Sequence, residues 1–185
     1  MDLRAWSREA LRRFEAELAD DAYWHVVFAD RARRAVHLAV LGEPFLAHVV
    51  DGTKRLESRF SVRRYPPFQR IARGDIVIVK AASGPIEGVC EVGTTRFDEL
   101  LPGKLEAIRA EVGEALCATD DAFWEACRDA RYVSLIELLA FRPVAPLACP
   151  KRDRRGWVVL DEPSVKGPTS ETSLRRRSSR PPPTW

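Results

Sequence analysis

In the run Gly52-Thr53-Lys54-Arg55-Leu56-Glu57-Ser58-Arg59 an amine and a carboxylate stand three residues apart, and a guanidinium follows two residues later. A partly desolvated lysine has a lowered pKa and can serve as nucleophile or base. A neighbouring carboxylate can relay its proton, or hold the amine charged as a plain ion pair. Lys54 and Glu57 are therefore the candidate catalytic pair. On a regular strand, Arg55, Glu57 and Arg59 share one face and Lys54 takes the other. Lys54 and Glu57 consequently meet only if the turn set by Asp51-Gly52 extends to about Lys54. Metal-free RNA cleavage needs a base for the 2′-hydroxyl and positive charge for the phosphorane, which Lys54, Arg59 and Tyr65 could supply.

Two further segments carry binding chemistry. Between Phe60 and Gly74 lies SVRRYPPFQRIAR, in which Arg63, Arg64, Arg70 and Arg73 are interleaved with Tyr65 and Phe68. Cations meet phosphates and aromatic faces stack on bases, so this composition suits a single-stranded nucleic acid. The plain alternative is a solvated loop whose Tyr65 and Phe68 tuck into the core. The second segment is Cys149–Leu160, CPKRDRRGWVVL, where basic residues run up to Gly156-Trp157. Trp157 either lies over a base or anchors this segment to the core. The candidate nucleic-acid or nucleoside contacts are Lys54, Arg55, Arg59, Arg63, Tyr65, Lys80, Arg154 and Trp157. The reading requires the two basic–aromatic segments to meet in the fold.

The elements that position these residues follow from periodicity. Residues 2–19 place Leu3, Trp6, Ala10, Phe14 and Leu18 on one helical stripe, and Ala22–Arg33 form a second helix with Trp24, Val27 and Phe28. These helices either cap one side of the core or present a partner surface. His37–Leu41 is a strand, Glu43–Val50 a short helix, and Lys54–Arg59 a strand. Pro66-Pro67 forbids regular structure in the loop that follows. Asp75–Lys80, DIVIVK, reads as a strand buried on both faces, and Ile86–Val92 as another after the Gly84-Pro85 turn. Lys104–Cys117 is a helix, and Thr119-Asp120-Asp121 opens one more. Arg131–Phe141 is a strand stopped by Pro143 and Pro146. Val158–Leu160 adds a short last strand.

Taken together, residues 36–142 resemble the ASCH domain, a small PUA-like β-barrel. The short helix carries the resemblance, together with Gly52, Lys54, Glu57 and Arg59 as G-x-K-x-x-E-x-R, the Gly74-Asp75 turn into an apolar strand, and Ile86-Glu87-Gly88 ahead of another strand. The resemblance implies an α+β fold with a small β-barrel, flanking helices, and handling of RNA or modified nucleosides. One bacterial group of ASCH relatives consists of amidohydrolases acting on N4-acetylcytidine, with a lysine, a threonine and a glutamate. Lys54 matches that lysine. Glu57 stands where the threonine would be, and Glu111 or Glu114 are the candidates for the glutamate. Another bacterial ASCH type is associated with ribonuclease activity.

Composition bounds these readings. The 185 residues suit one domain with extensions, and 45% apolar content supports a core. No apolar run approaches the roughly 18 residues that span a bilayer, and the N-terminus is charged from Asp2 with no apolar signal segment. A cytoplasmic location is the expectation. Cys90, Cys117, Cys127 and Cys149 form no C-x-x-C pair and read as small buried hydrophobes, with neither a metal nor a disulfide implied. His25, His37 and His48 are scattered and read as structural. No G-x-G-x-x-G, P-loop, H-E-x-x-H or G-x-S-x-G is present, and no cofactor is expected. The net charge is +3, but nine Lys and Arg against four acids fall from Pro150 onward, so basicity is local.

The expected organisation is an N-terminal helical extension (1–34), an ASCH/PUA-like domain (35–160) and a disordered basic tail (161–185). The expected function is recognition of RNA, or a modified nucleoside, in a cleft between the Lys54–Arg59 strand and the 60–74 loop. Its rival is a small metal-independent hydrolase in the same pocket, centred on Lys54. A third reading is a protein-interaction module using Trp6 and Trp24 on exposed helical faces.

Overall fold

The structure is a computed structural model in which residues 2–164 are described; most of the expected basic tail, residues 165–185, lies outside the described residues. The chain opens with α1 (Leu3–Glu17) and α2 (Ala22–Ala29), followed by a short helical turn at Arg31–Arg33. Then come β1 (Val36–Leu41), α3 (Phe45–Val50), β2 (Leu56–Ser61), β3 (Ile76–Ala81) and β4 (Ile86–Glu99). The helices α4 (Lys104–Val112) and α5 (Asp121–Ala126) lead to β5 (Tyr132–Leu147) and β6 (Trp157–Asp161).

The strands form one mixed sheet in the order β2-β5-β4-β3-β1-β6. β1 and β3 run parallel, while the other neighbouring pairs are antiparallel. The sheet curls into a half-barrel, so that its two edge strands, β2 and β6, face one cleft. Strand β3 sits in the middle of the sheet and its apolar run serves both faces. Ile76 and Ile78 pack under α1 and α2 with Trp6, Phe14, Trp24 and Phe28. Val77 and Val79 point into the concave face with Cys90, Ile136 and Trp157. A third cluster lies on the outside of β5, where Val133 and Leu135 are covered by Ile108, Leu116 and Trp124.

The local chemistry explains the ends of these elements. Asp21 caps α2 by accepting from the Tyr23 and Trp24 N–H groups, and Asp120 caps α5 by accepting from Ala122 N–H. Trp6 donates its indole N–H to Ala148 O at 3.1 Å, and Trp24 donates to Ala140 O at 2.9 Å. Both tryptophans are buried, which removes the motive for an interaction surface built on them.

Several elements depart from the pattern read in the sequence: the second helix ends at Ala29 rather than Arg33, and the strand expected over Lys54–Arg59 runs Leu56–Ser61 because the turn reaches Lys54. The helix expected to reach Cys117 ends at Val112, because Gly113 is a poor helix former. The next residues turn tightly, with Cys117 at φ 53°, and still bring Leu116 into the core. Strand β4 runs to Glu99 rather than Val92, bending through register shifts after Ile86, Val89 and Val92. Strand β5 continues through Pro143 and Pro146 to Leu147. Its pairing with β2 stops at Glu137, so the later half has an open edge, where proline is tolerated.

The long β4–β5 ribbon depends on one close approach. A Cβ on Gly88 would come within 2.4 Å of the Phe141 ring and 2.5 Å of Arg142 O. Backbone cannot move aside as a flexible side chain can. Gly88→Ala is therefore expected to cost about 1–3 kcal/mol or more. Urea unfolding with an unchanged midpoint would contradict this packing.

Candidate functional site

A cleft of about 720 Å³ opens along the seam between the two edge strands. One wall is Arg59, Phe60 and Ser61 of β2, and the other is Gly156, Trp157, Val158 and Val159 at β6. Tyr65, Pro66, Pro67 and Arg70 form the lip on the β2 side, and Arg155 forms the lip on the β6 side. The 60–74 loop divides its two aromatics. Phe68 is buried, with its ring edge-on to Phe97 at 5.6 Å and to Tyr132 at 5.1 Å. That anchor turns Tyr65 outward, 55% exposed, beside Arg70.

Below the cleft runs a chain of buried polar groups. The Lys54 amine donates to Leu116 O at 2.7 Å and lies 5.0 Å from the Phe45 ring centre. It forms an ion pair with Glu57 at 3.6 Å, and the other Glu57 oxygen lies 3.1 Å from Arg59 Nε. Arg59 Nε makes no hydrogen bond to a described residue; Nη2 donates to Val40 O at 3.0 Å, and the guanidinium lies 5.2 Å from the Trp157 ring centre. Trp157 Nε1–H donates to His37 Nδ1 at 3.2 Å. That bond leaves the His37 proton on Nε2, facing Asp75 Oδ2 at 3.2 Å. Asp75 is fixed in turn by the N–H groups of Ala35 and Ala72 at 2.9 and 2.8 Å. Each member thus orients the next, from Lys54 across the concave face to Asp75. Opposite Arg59 in the β2–β5 register stands Ser134, whose buried Oγ has no partner among the described residues.

Two features make room for Arg59. Strand alternation sends Glu57 and Arg59 to the concave face. Gly156 lets the guanidinium approach, since a Cβ there would lie 2.9 Å from Arg59 Nη1. Nη1 makes no hydrogen bond to a described residue, and Arg59 lines the cleft. The site thus holds a fixed guanidinium with a spare donor, over an indole, beside an exposed phenol.

No protein-family model matches the sequence, and none of the curated proteins does. Two solved structures, both point variants of the Zymomonas mobilis ASCH protein, are similar in three dimensions. One is 14% identical, covering 73% of this chain and 92% of that one at a TM-score of 0.54. The other is 13% identical, covering 71% and 94% at a TM-score of 0.54. The chain has the ASCH, PUA-like fold. Its curled sheet and flanking helices are those the resemblance implied, and the likeness is one of fold.

On this ASCH half-barrel the residues singled out in the sequence fall into three groups. Arg59, Tyr65 and Trp157 line the cleft. Lys54 and Glu57 lie together outside its lining, with Lys54 against the hollow beside α3 and not in the pocket expected for it, because the turn does extend to Lys54, whose N–H bonds His48 O at 2.8 Å. The others are elsewhere. Arg55 is exposed and borders a separate hollow beside α3, while Arg63 and Arg154 are exposed and outside the cleft lining. The Lys80 amine donates to Ala81 O and Gly84 O at 2.8 and 2.7 Å, closing the β3–β4 turn. Glu111 and Glu114 are exposed, and Glu111 pairs with Arg96 at 2.6 Å. Trp157 is itself buried, with Arg59 over its ring, so it serves as the platform for Arg59 rather than as a free stacking face.

The sequence pointed to Arg70 only as one of four arginines of the 60–74 loop, and passed over Arg155, His37 and Asp75 as members of this arrangement. Arg155 differs from the expected Arg154 only in phase along an irregular loop. His37 carried a signal, since a histidine inside an apolar strand needs partners for both ring nitrogens.

Burial pushes the Lys54 pKa below its ordinary value of 10.5, with Glu57 opposing the shift. Between the folded pKa and the unfolded one, the unfolded chain holds the proton more tightly than the native protein does. Stability contributed at this residue therefore rises with pH across that window and is flat below it. Lys54→Met removes the slope. Urea unfolding of both proteins from about pH 8 to about pH 10.5 is expected to show a steeper rise in the wild type. Parallel profiles would mean that the amine is not desolvated.

Proposed function

We propose that the protein is a nucleic-acid-binding module that takes RNA, or a modified nucleoside, in the seam cleft. The observation that carries this reading is the meeting of two basic–aromatic segments far apart in sequence, around Tyr65 and around Trp157, on opposite lips of one cleft. Arg59 supplies a fixed donor, Tyr65 an exposed aromatic face, and Arg70 and Arg155 supply cations at the rim. The gap is bounded by two strands and a proline-containing loop, a recess suited to an unpaired base. Among the described residues no helix is long and apolar enough to cross a membrane, and a cytoplasmic location goes with this reading.

The test is binding of a labelled mixed-sequence single-stranded RNA, over a series of salt concentrations, to wild type, Arg59→Ala and Tyr65→Ala. Loss of about tenfold in affinity in each variant is expected. Wild-type affinity is expected to fall with salt. Binding that is indifferent to both substitutions would place the RNA elsewhere.

A hydrolase centred on Lys54 is the second reading, and one observation favours it: a desolvated amine with a lowered pKa and a carboxylate 3.6 Å away. Against it, the Lys54 side chain is 2% exposed, already donates to Leu116 O, and borders the hollow beside α3 rather than the seam cleft. Incubation with RNA and with N4-acetylcytidine, for wild type and Lys54→Ala, decides between the two. Turnover abolished in the variant would establish the enzyme.

A further inference from the structure

Each of the three arginines at the seam cleft is held by a carboxylate that does not itself line the cleft. Glu57 holds Arg59, Glu162 holds Arg70 at 2.5 Å, and Asp153 holds Arg155 at 2.9 Å. The pairs differ in burial. The Glu57 and Arg59 side chains are 8% and 21% exposed, so opening that pair would strand a charge in the interior. Arg70 and Glu162 are 56% and 50% exposed, and Arg155 and Asp153 are 65% and 39% exposed. A single exposed ion pair such as Arg70–Glu162 holds weakly and exchanges partners readily, whereas Asp153 accepts from Arg155 N–H, Nε and Nη2 and also pairs with Lys151 at 2.9 Å.

A phosphate outcompetes a carboxylate for such an arginine, because it offers more charge and several oxygens in the planar geometry that a guanidinium fits. Arg70 and Arg155 come from segments far apart in sequence and line the same cleft. Arg59 stays fixed below, with Nη1 free toward the cleft, where a base carbonyl or ring nitrogen can accept. Tyr65 stands beside Arg70 with its ring exposed.

Building on the nucleic-acid reading, we infer that the cleft takes one nucleotide unit, a base together with its phosphate. Arg70 and Arg155 capture the phosphate by releasing Glu162 and Asp153, while Arg59 remains on Glu57 and reads the base. Glu162 and Asp153 are internal competitors for the phosphate site. They lower the positive charge of the rim in the free protein, where Asp153 is shared with Lys151, so that anions lacking a base gain less there.

The test uses the full chain and calorimetric titration with the four ribonucleosides, their 5′-monophosphates and a short mixed-sequence single-stranded RNA. The best monophosphate is expected to bind about tenfold tighter than its nucleoside. Glu162→Gln and Asp153→Asn are each expected to tighten the monophosphate about threefold or more and to leave the nucleoside unchanged. Glu99→Gln controls for net charge: it frees Arg64, which lies outside the cleft lining. An equal gain from Glu99→Gln, or no gain from either competitor variant, would overturn the inference. If RNA binds the wild type and no such split is seen, the inference alone fails. If neither RNA, nucleoside nor monophosphate binds, the reading beneath it fails and the inference goes with it.

Discussion

Glu57→Ala is expected to lower stability by about 3–5 kcal/mol, because it leaves two cations beneath the sheet without their counter-ion. The Lys54 amine is almost wholly buried, and Arg59 is largely so. The Lys54 amine is packed against Phe45, and the Arg59 guanidinium meets water only on its cleft side. The thermal midpoint should fall by roughly 10 °C at about 2–4 °C per kcal/mol for a chain of this size. Glu57→Gln keeps the shape and one acceptor but loses the charge, so it should fall between wild type and alanine. The double variant Lys54→Met, Glu57→Leu removes one cation together with the anion and should recover part of the loss. Urea unfolding of the set decides the matter. If Glu57→Ala costs less than about 1 kcal/mol, the carboxylate is not what holds the two cations in place.

The second large effect is at Trp157. Its side chain fills the concave core, donates to His37 and carries the Arg59 guanidinium. Truncation to alanine should cost about 3–5 kcal/mol through the cavity it opens. Trp157→Phe separates the roles. The ring volume is mostly kept, but His37 Nδ1 loses its donor in the interior, which costs about 1–3 kcal/mol. RNA affinity of Trp157→Phe should stay near that of wild type, because Arg59 keeps an aromatic platform, whereas Trp157→Leu should weaken it. These variants are compared by calorimetry on the RNA and by urea unfolding. Equal RNA affinities for the two would show that the ring does not position Arg59.

The architecture was legible where periodicity reports burial directly. Val77 and Val79 alternate with Ile76 and Ile78 in a run with no polar break, which is what a central strand with a core on both sides requires. The stripe of Trp6, Ala10 and Phe14 named the buried face of α1. The cleft residues Tyr65 and Trp157 were visible as aromatics in basic company, but not their opposite fates. Phe68 and not Tyr65 turns inward because Phe97 and Tyr132, from other strands, offer it edges. The polar chain was illegible for a related reason. Lys54, His37 and Asp75 belong to different elements, and only the curl of the sheet brings them onto one line with Glu57 and Trp157. Proline misled at β5, because a sequence does not say which half of a strand lacks a neighbour.

One wall of the cleft is β6, which pairs with β1 across some 120 residues of chain, as in Ala39 with Trp157. During synthesis, β1 and β2 leave the ribosome early, but the platform for Arg59 is not made until residues 157–161 follow. The rest of the sheet can assemble first, with the outer edge of β1 waiting. The cleft is thus the last part of this fold to come into being. A nascent chain halted before Trp157 would carry most of the sheet and no cleft.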